Sequence, residues 1–319
     1  MAGILVVAES SEGAVTGPSL ELLGAARALS AAGAGSVSAF IAGGDAHAQA
    51  LIQHGADTVY TSAAPADALA EVLAPAVEAA ISQSGADIVL IPMSSLGRDL
   101  GPLLAFRLKT GVAMDCTGLE LVNGRLRATR SCYGGNARAE HTWAANPQIA
   151  TVKAKSFDAL EADPSRTGTV TAVDAVGEAR IKVIGTEKAS SEGIKLEDAA
   201  IVVSGGRGLG DPSGFQLLEQ LAATLKQAAV GASRAACDLG WYPPAQQVGL
   251  TGKVVSPNLY LAVAISGASQ HMAGMGGSKN IVAINKDPDA NMVKVARFAV
   301  IDDYRKVIPA LIEEVKKLG

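Results

Sequence analysis

The strongest constraint on the fold of this chain is a repeated alternation. A short apolar run is followed by a polar or glycine-bearing turn, then by a longer stretch with helical spacing. Ile4–Ala8, Val37–Ala42 and Asp87–Pro92 read as buried parallel strands. Between them Pro18–Ser30, Ala46–His54 and Pro65–Ser82 read as helices, with Pro18 in a first turn and Gly33, Gly55 and Gly85 as C-terminal stops. A further helix is expected over Arg98–Lys109. This is the βαβ rhythm of a doubly wound, largely parallel sheet. From Met114 to about Gly185 the rhythm changes to short, turn-bounded strands: Gly118–Leu126, Ala128–Cys132, Glu140–Trp143, Gln148–Val152 and Ala179–Ile184. They predict an antiparallel extension of the first sheet. The polar stretch Gly185–Asp198 reads as a linker, so the expected domains are 1–190 and 191–319. Beyond it the α/β pattern restarts, with strands at Ala200–Val203, Leu259–Ile265 and Ile281–Ile284. A helix is expected over Ser213–Ala229, N-capped by Ser213, and a closing amphipathic helix over Tyr304–Leu318.

Composition narrows the function. Of 319 residues 49% are hydrophobic and 18% charged, enough for a substantial core. Lys plus Arg total 27 against 31 Asp plus Glu, a net charge of −4, so no basic excess exists to neutralise a nucleic-acid backbone. The three cysteines Cys116, Cys132 and Cys237 are scattered, which favours reduced thiols in a cytoplasmic protein. The four histidines His47, His54, His141 and His271 form no metal-binding spacing. The longest uncharged run, between Lys253 and Lys279, is interrupted by Pro257, Asn258, Gln270, His271 and glycines. Its apolar part, Leu259 to Ile265, is too short for a bilayer, so no membrane insertion is expected. Ile4–Ala8 lacks a preceding basic flank and meets Glu9 at once, which reads as a first strand rather than a signal peptide.

Four segments could carry chemistry. Ser204-Gly-Gly-Arg-Gly-Leu-Gly210 follows a strand, yet Asp211 stands where a dinucleotide fingerprint needs its third glycine. What remains reads equally as a tight structural turn or as a phosphate-holding turn with Arg207. Gly252-Lys253 is no P-loop, because Gln247 replaces the earlier glycine. In Val230-Gly-Ala-Ser-Arg-Ala-Ala236 small residues surround Ser233 and Arg234; alone, it reads better as a strand end with a surface arginine. Gln246–Lys253 (QQVGLTGK) is rich in hydrogen-bonding groups and poor in acid–base groups, which suits recognition of an uncharged heterocycle edge. Most specific is Leu259–Met275 (LYLAVAISGASQHMAGM), a buried strand turning through Ser266-Gly267 into a helix that carries Gln270 and His271. Open α/β sheets bind ligands at strand carboxyl ends, where His271 could supply a proton or a positive charge.

That run, with VVSGGRGLG, VGASRAACDLGW, QVGLTGKVVSP and IVAINKDPDA in order around it, resembles the electron transfer flavoprotein alpha subunit family. The resemblance is strongest from Ala199 to Gly319. It implies a C-terminal Rossmann-like α/β FAD-binding domain, one FAD per heterodimer, and a beta-subunit partner carrying AMP. The N-terminal domain is expected to pack on that beta subunit. By the same resemblance Arg207, Ser233 and Arg234 contact FAD, with Arg234 close to the isoalloxazine. Gln247, Val248, Gly249, Leu250 and Thr251 add contacts, the Thr251 hydroxyl reaching the ring edge. Ser266, Gly267, Ala268, Ser269, Gln270 and His271 line the diphosphate and ring. Asn285, Asp303 and Tyr304 hold the adenosine end. Arg234, His271 and Thr251 are the expected flavin-tuning residues.

The implied role is electron carriage rather than turnover of a substrate of its own. FAD takes electrons from flavin dehydrogenases, such as the acyl-CoA dehydrogenases of fatty acid beta-oxidation. It passes them to a membrane quinone oxidoreductase or other acceptor. This fits the lack of a catalytic acid–base pair or nucleophile, since the cofactor would carry the chemistry. The alternatives are an NAD(P)- or adenine-nucleotide-binding α/β enzyme of transhydrogenase-like type, which would be colourless, and a non-redox interaction subunit with a structural nucleotide.

Overall fold

The computed structural model describes residues 3–133, 137–181, 183–185 and 194–318. The chain divides into two compact units, one formed by the bulk of residues 1–186 and the other by residues 187–319. Most of the expected linker Gly185–Asp198, and part of the expected strand Ala179–Ile184, lie outside the described residues.

In the first unit the chain runs β1 (Ile4–Ala8), β2 (Ser10–Ser11), β3 (Ala14–Val15), α1 (Gly17–Leu29), β4 (Val37–Ala42), α2 (Ala48–Gln53) and β5 (Thr58–Ser62). It continues through α3 (Ala70–Ser84), β6 (Ile88–Pro92), α4 (Ser95–Arg107), β7 (Val112–Val122), β8 (Arg125–Cys132), β9 (Ala137–His141), β10 (Gln148–Val152) and β11 (Thr169–Ala172). Nine strands form one sheet in the order β11-β5-β4-β1-β6-β10-β7-β8-β9. All neighbours are parallel as far as β7, and β8 and β9 add antiparallel. The expected antiparallel extension is therefore the β7–β8–β9 edge.

Strand β1 shows how sequence specifies the layers. Ile4, Val6 and Ala8 enter the core on one face, and Leu5 and Val7 enter the core on the other. A strand buried on both faces has no polar side to alternate with, hence its unbroken apolar run. Burying each Val, Leu or Ile contributes about 1.5–3 kcal/mol. At the carboxyl end of β1, Ser94 caps α4: its hydroxyl oxygen accepts from Gly97 N–H at 2.9 Å and donates to Glu9 Oε1 at 2.6 Å.

Several expected boundaries move. The hairpin β7–β8 turns at Asn123-Gly124, both at positive φ, inside the segment read as one strand over Gly118–Leu126. Asn-Gly is the residue pair that such a turn favours. The described residues of Ala179–Ile184 form no strand; Thr169–Ala172 pairs with β5 instead.

The second unit contains β12 (Ile201–Gly205), α5 (Gly214–Ala223), β13 (Ala228–Ser233), α6 (Arg234–Asp238), β14 (Gln247–Val248) and β15 (Leu259–Val263). It closes with α7 (Ser269–Met275), β16 (Asn280–Asn285), α8 (Asn291–Val295), β17 (Phe298–Ile301) and α9 (Tyr304–Leu318). Helix α5 ends six residues before Ala229, and β13 begins inside the expected helix after Gln227 reverses the chain at φ 55°. Ser213 precedes α5 but gives it no side-chain cap; its hydroxyl donates to Asp211. Helix α9 places Tyr304, Ile308 and Ile312 on one buried stripe in the same apolar core as Phe215, Leu218 and Leu221 of α5, the i, i+4 spacing of an amphipathic helix.

All six strands of this sheet run parallel, in the order β14-β13-β12-β15-β16-β17. Counted from β12, that is 3-2-1-4-5-6, the Rossmann order, whose switch point lies between β12 and β15. The outer strand β17 is exposed along its whole length, with Phe298 67% and Ile301 46% accessible. Among the described residues no helix is long and apolar enough to cross a membrane.

Candidate functional site

The switch point is where the chains leaving β12 and β15 part, and glycine lets them come close. Gly206 N–H donates to the Val263 carbonyl at 3.0 Å, and Gly208 N–H to the Ala264 carbonyl at 3.3 Å. Ala264 itself is held at φ 53°, a left-handed conformation that costs a residue with a Cβ about 1–2 kcal/mol. The turn 206–210 thereby presents Arg207 exposed at the carboxyl end of β12.

On one side of the switch point β13 ends at Ser233, and Arg234 opens α6. The Arg234 side chain is 68% accessible, and its ion pair with Asp238 at 3.4 Å is a solvent-facing contact of little strength. Ser233 pairs in register with Val248, which brings the loop 247–251 to the same end of the sheet. Gln247 Nε2 donates to Thr251 Oγ1 at 3.1 Å inside that loop. Leu250 N–H donates to the Gln270 carbonyl at 2.8 Å, tying the loop to α7.

On the other side, β15 runs through 264–268 into α7. Gly267 is at φ 84°, and a Cβ there would lie 2.4 Å from the Met292 nitrogen, so only glycine fits. Ser266, Ala268, Ser269 and Gln270 are exposed, whereas Gly267 and His271 are buried. Asn285, at the end of β16, donates from Nδ2 to the Ile265 carbonyl at 2.9 Å and accepts Asp287 N–H at 3.1 Å. It braces the turn after β15.

His271 is only 6% accessible. Its Nε2 meets the Tyr260 hydroxyl at 2.8 Å, beneath the site. Burial pulls the imidazole down to about 4, although the nearby Val248 carbonyl opposes the change. Desolvation disfavours the charged form of the ring, which favours hydrogen bonding over positive charge as the part His271 plays. Among the described residues, six buried side-chain atoms make no hydrogen bond: Ser204 Oγ, Ser233 Oγ and His271 Nδ1 in the second unit, and Arg130 Nε, His141 Nε2 and Arg166 Nε in the first.

Tyr304 is packed into the core of the second unit. It is 3% accessible, and its hydroxyl donates to the Leu209 carbonyl at 2.8 Å, so the phenol is committed to the fold. Asp303 is likewise engaged, by Lys286 Nζ at 3.0 Å and by Arg305 N–H at 3.0 Å. The sequence also gave no role to Ser204, Tyr260 or Ala264. A tyrosine in the middle of a buried strand was the available signal, since a buried phenol needs a partner.

Residues 4–177 match the Electron transfer flavoprotein domain family, and residues 195–276 the Electron transfer flavoprotein FAD-binding domain family. An electron transfer flavoprotein subunit alpha of Thermoanaerobacterium thermosaccharolyticum is 41% identical over 99% of this chain and 98% of its own length. The subunit alpha of Bacillus subtilis is 39% identical over 99% and 98%, and that of Mycobacterium leprae 37% identical over 99% of each. The chain belongs to the electron transfer flavoprotein alpha subunit family.

The site fits the flavin cofactor of that family. Unsatisfied buried polar atoms are costly unless something meets them, and Ser233 Oγ at the end of β13 and His271 Nδ1 in α7 are two of them in the second unit. Close-packed glycine turns, an exposed arginine after each of β12 and β13 and a neutral hydrogen-bonding rim suit a ligand with phosphates and a heterocyclic ring. Among the described residues of this flavoprotein chain no group of His, Cys, Asp or Glu could hold a metal ion.

Proposed function

We propose that this chain is the FAD-holding half of a two-subunit electron carrier, paired with a beta subunit that carries AMP. The reading is supported above all by a parallel sheet of Rossmann order with Arg207, Arg234 and the loop 247–251 gathered at the carboxyl ends of its strands. Bound FAD would supply reversible uptake and release of electrons. The chain's own residues do the rest. The Arg207 guanidinium holds the diphosphate, with Ser266 and the residues up to Gln270 closing over it. Arg234 places positive charge beside the ring and favours its reduced, more negative form. Loop 247–251 offers the Thr251 hydroxyl to the ring edge, and buried His271 offers Nδ1. Asn285 acts at the adenosine end by bracing the backbone at Ile265, and Asp303 by its salt link to Lys286.

In this reading one FAD sits in each heterodimer, the first unit packs on the beta subunit, and the complex works in the cytoplasm. Its donors are flavin dehydrogenases of the acyl-CoA type, and its acceptor is a membrane quinone oxidoreductase. The test is to purify the chain with its beta subunit, record the visible spectrum and identify the nucleotides released by acid. One FAD per heterodimer, bleached by an acyl-CoA dehydrogenase with its substrate, is the expected result. A colourless complex that takes up no added FAD overturns the proposal.

A further inference from the structure

Asp211 stands where a dinucleotide-binding turn has its third glycine. A carboxylate so soon after Arg207 works against any anion that this arginine holds. The turn folds back on itself between them, since Gly210 N–H donates to the Arg207 carbonyl at 3.1 Å. Arg305, in the first turn of α9, meets the carboxylate. Its Nη2 donates to Asp211 Oδ2 at 3.2 Å and to the Leu209 carbonyl at 3.2 Å. The Tyr304 hydroxyl reaches the same carbonyl at 2.8 Å, so both of its lone pairs are taken by α9. The guanidinium also lies over the Tyr304 ring, 5.0 Å from its centroid. The other Asp211 oxygen accepts Ser213 N–H at 2.9 Å and the Ser213 hydroxyl. Gly206 and Gly208 are tied to the carbonyls of Val263 and Ala264, and α9 supplies the turn's second anchor.

We propose that Arg305 is a positioning residue for FAD: it anchors the Arg207 turn through the Leu209 carbonyl and cancels the Asp211 charge, so that the diphosphate meets Arg207 without a repelling carboxylate. The inference rests on the function proposed above, which puts the diphosphate at Arg207. The Arg305 side chain is 51% accessible and that of Asp211 47%, so their pairing adds little to folding stability. Its effect falls on the ligand instead, through a charge that salt screens.

The experiment strips FAD from the complex with the beta subunit and titrates it back, at low and at high salt. Wild type is compared with Arg305→Ala, Arg305→Lys, Asp211→Asn and the double variant R305A/D211N, and urea unfolding is measured on each. R305A should bind FAD about fivefold more weakly at low salt, with the loss shrinking at high salt. Its unfolding midpoint should barely move. The double variant should recover most of the affinity, and R305K part of it, because lysine keeps the charge but not the fork. D211N alone should bind at least as tightly as wild type, and it decides the matter if R305A does not fold. An R305A complex that binds like wild type overturns the inference. So does a loss that neither salt nor D211N reduces, or a D211N complex that binds more weakly than wild type. A wild-type complex that takes up no FAD overturns the proposed function itself, a result distinct from all of these.

Discussion

A Cβ on Gly206 would lie 2.2 Å from the carbonyl oxygen of Ala264. The contact is backbone against backbone, across the switch point of the second sheet, and no rotamer change can relieve it. Gly206→Ala should therefore force β12 and β15 apart at their carboxyl ends. The expected cost is about 1–3 kcal/mol, as for overpacking elsewhere. Urea unfolding checks the stability, and flavin absorbance per chain in the complex checks the site; full retention of both would contradict the argument.

Ala264 offers the opposite experiment. Its φ of 53° suits glycine better than any residue with a Cβ. Relief of the left-handed strain, less the extra freedom glycine gains when unfolded, leaves Ala264→Gly more stable by about 0.5–1 kcal/mol. A lower thermal midpoint for that variant would show that the Ala264 methyl does more by packing than it costs by strain.

Arg234 separates stability from tuning. Its pairing with Asp238 is exposed, so Arg234→Ala should change stability by no more than about 0.5 kcal/mol. The midpoint potential of the bound flavin should fall, because a positive charge that favours reduction is gone. Potentiometry with FAD retained and the potential unmoved would remove Arg234 from the flavin's surroundings.

These variants also show how far the sequence carried. Local patterns were legible: the buried runs of β1, β4 and β6, the glycine stops, and the strand-to-helix turn through Ser266 and Gly267. Strand β13 was hidden because AAVGAS offers neither strand alternation nor a helical stripe, and Gln227, where the chain turns, carries no turn signature. Asn123-Gly124 is a readable hairpin signal, but the residues on its two sides also read as one continuous strand. The surroundings of Tyr304 and His271 were hidden for another reason. The partners that decide their chemistry, the Leu209 carbonyl and the Tyr260 phenol, are set by tertiary packing across 95 and 11 residues of sequence.

Glu9 makes stability depend on pH. Burial raises its carboxyl above the ordinary value of 4.5, with the hydrogen bond from Ser94 opposing. The folded chain holds this proton more tightly than the unfolded one. The resulting stabilisation is fully present below pH 4.5 and is lost as pH rises through the folded-state value. Glu9→Gln cannot ionise. Its stability relative to wild type should therefore be more favourable at pH 7 than at pH 4.5, whatever the hydrogen bond to Ser94 contributes at both. Urea titrations at the two values decide it; a relative gain larger at the acidic one would reverse the sign.

The open strand Phe298–Ile301 has a practical consequence. Its free backbone edge and apolar side chains are a template on which another chain can add, and nothing charged lies within the four residues to discourage it. Chains made in excess of whatever shields that edge should stick to one another and be lost as insoluble material. The yield of usable protein would then follow the supply of its shield rather than the strength of the promoter.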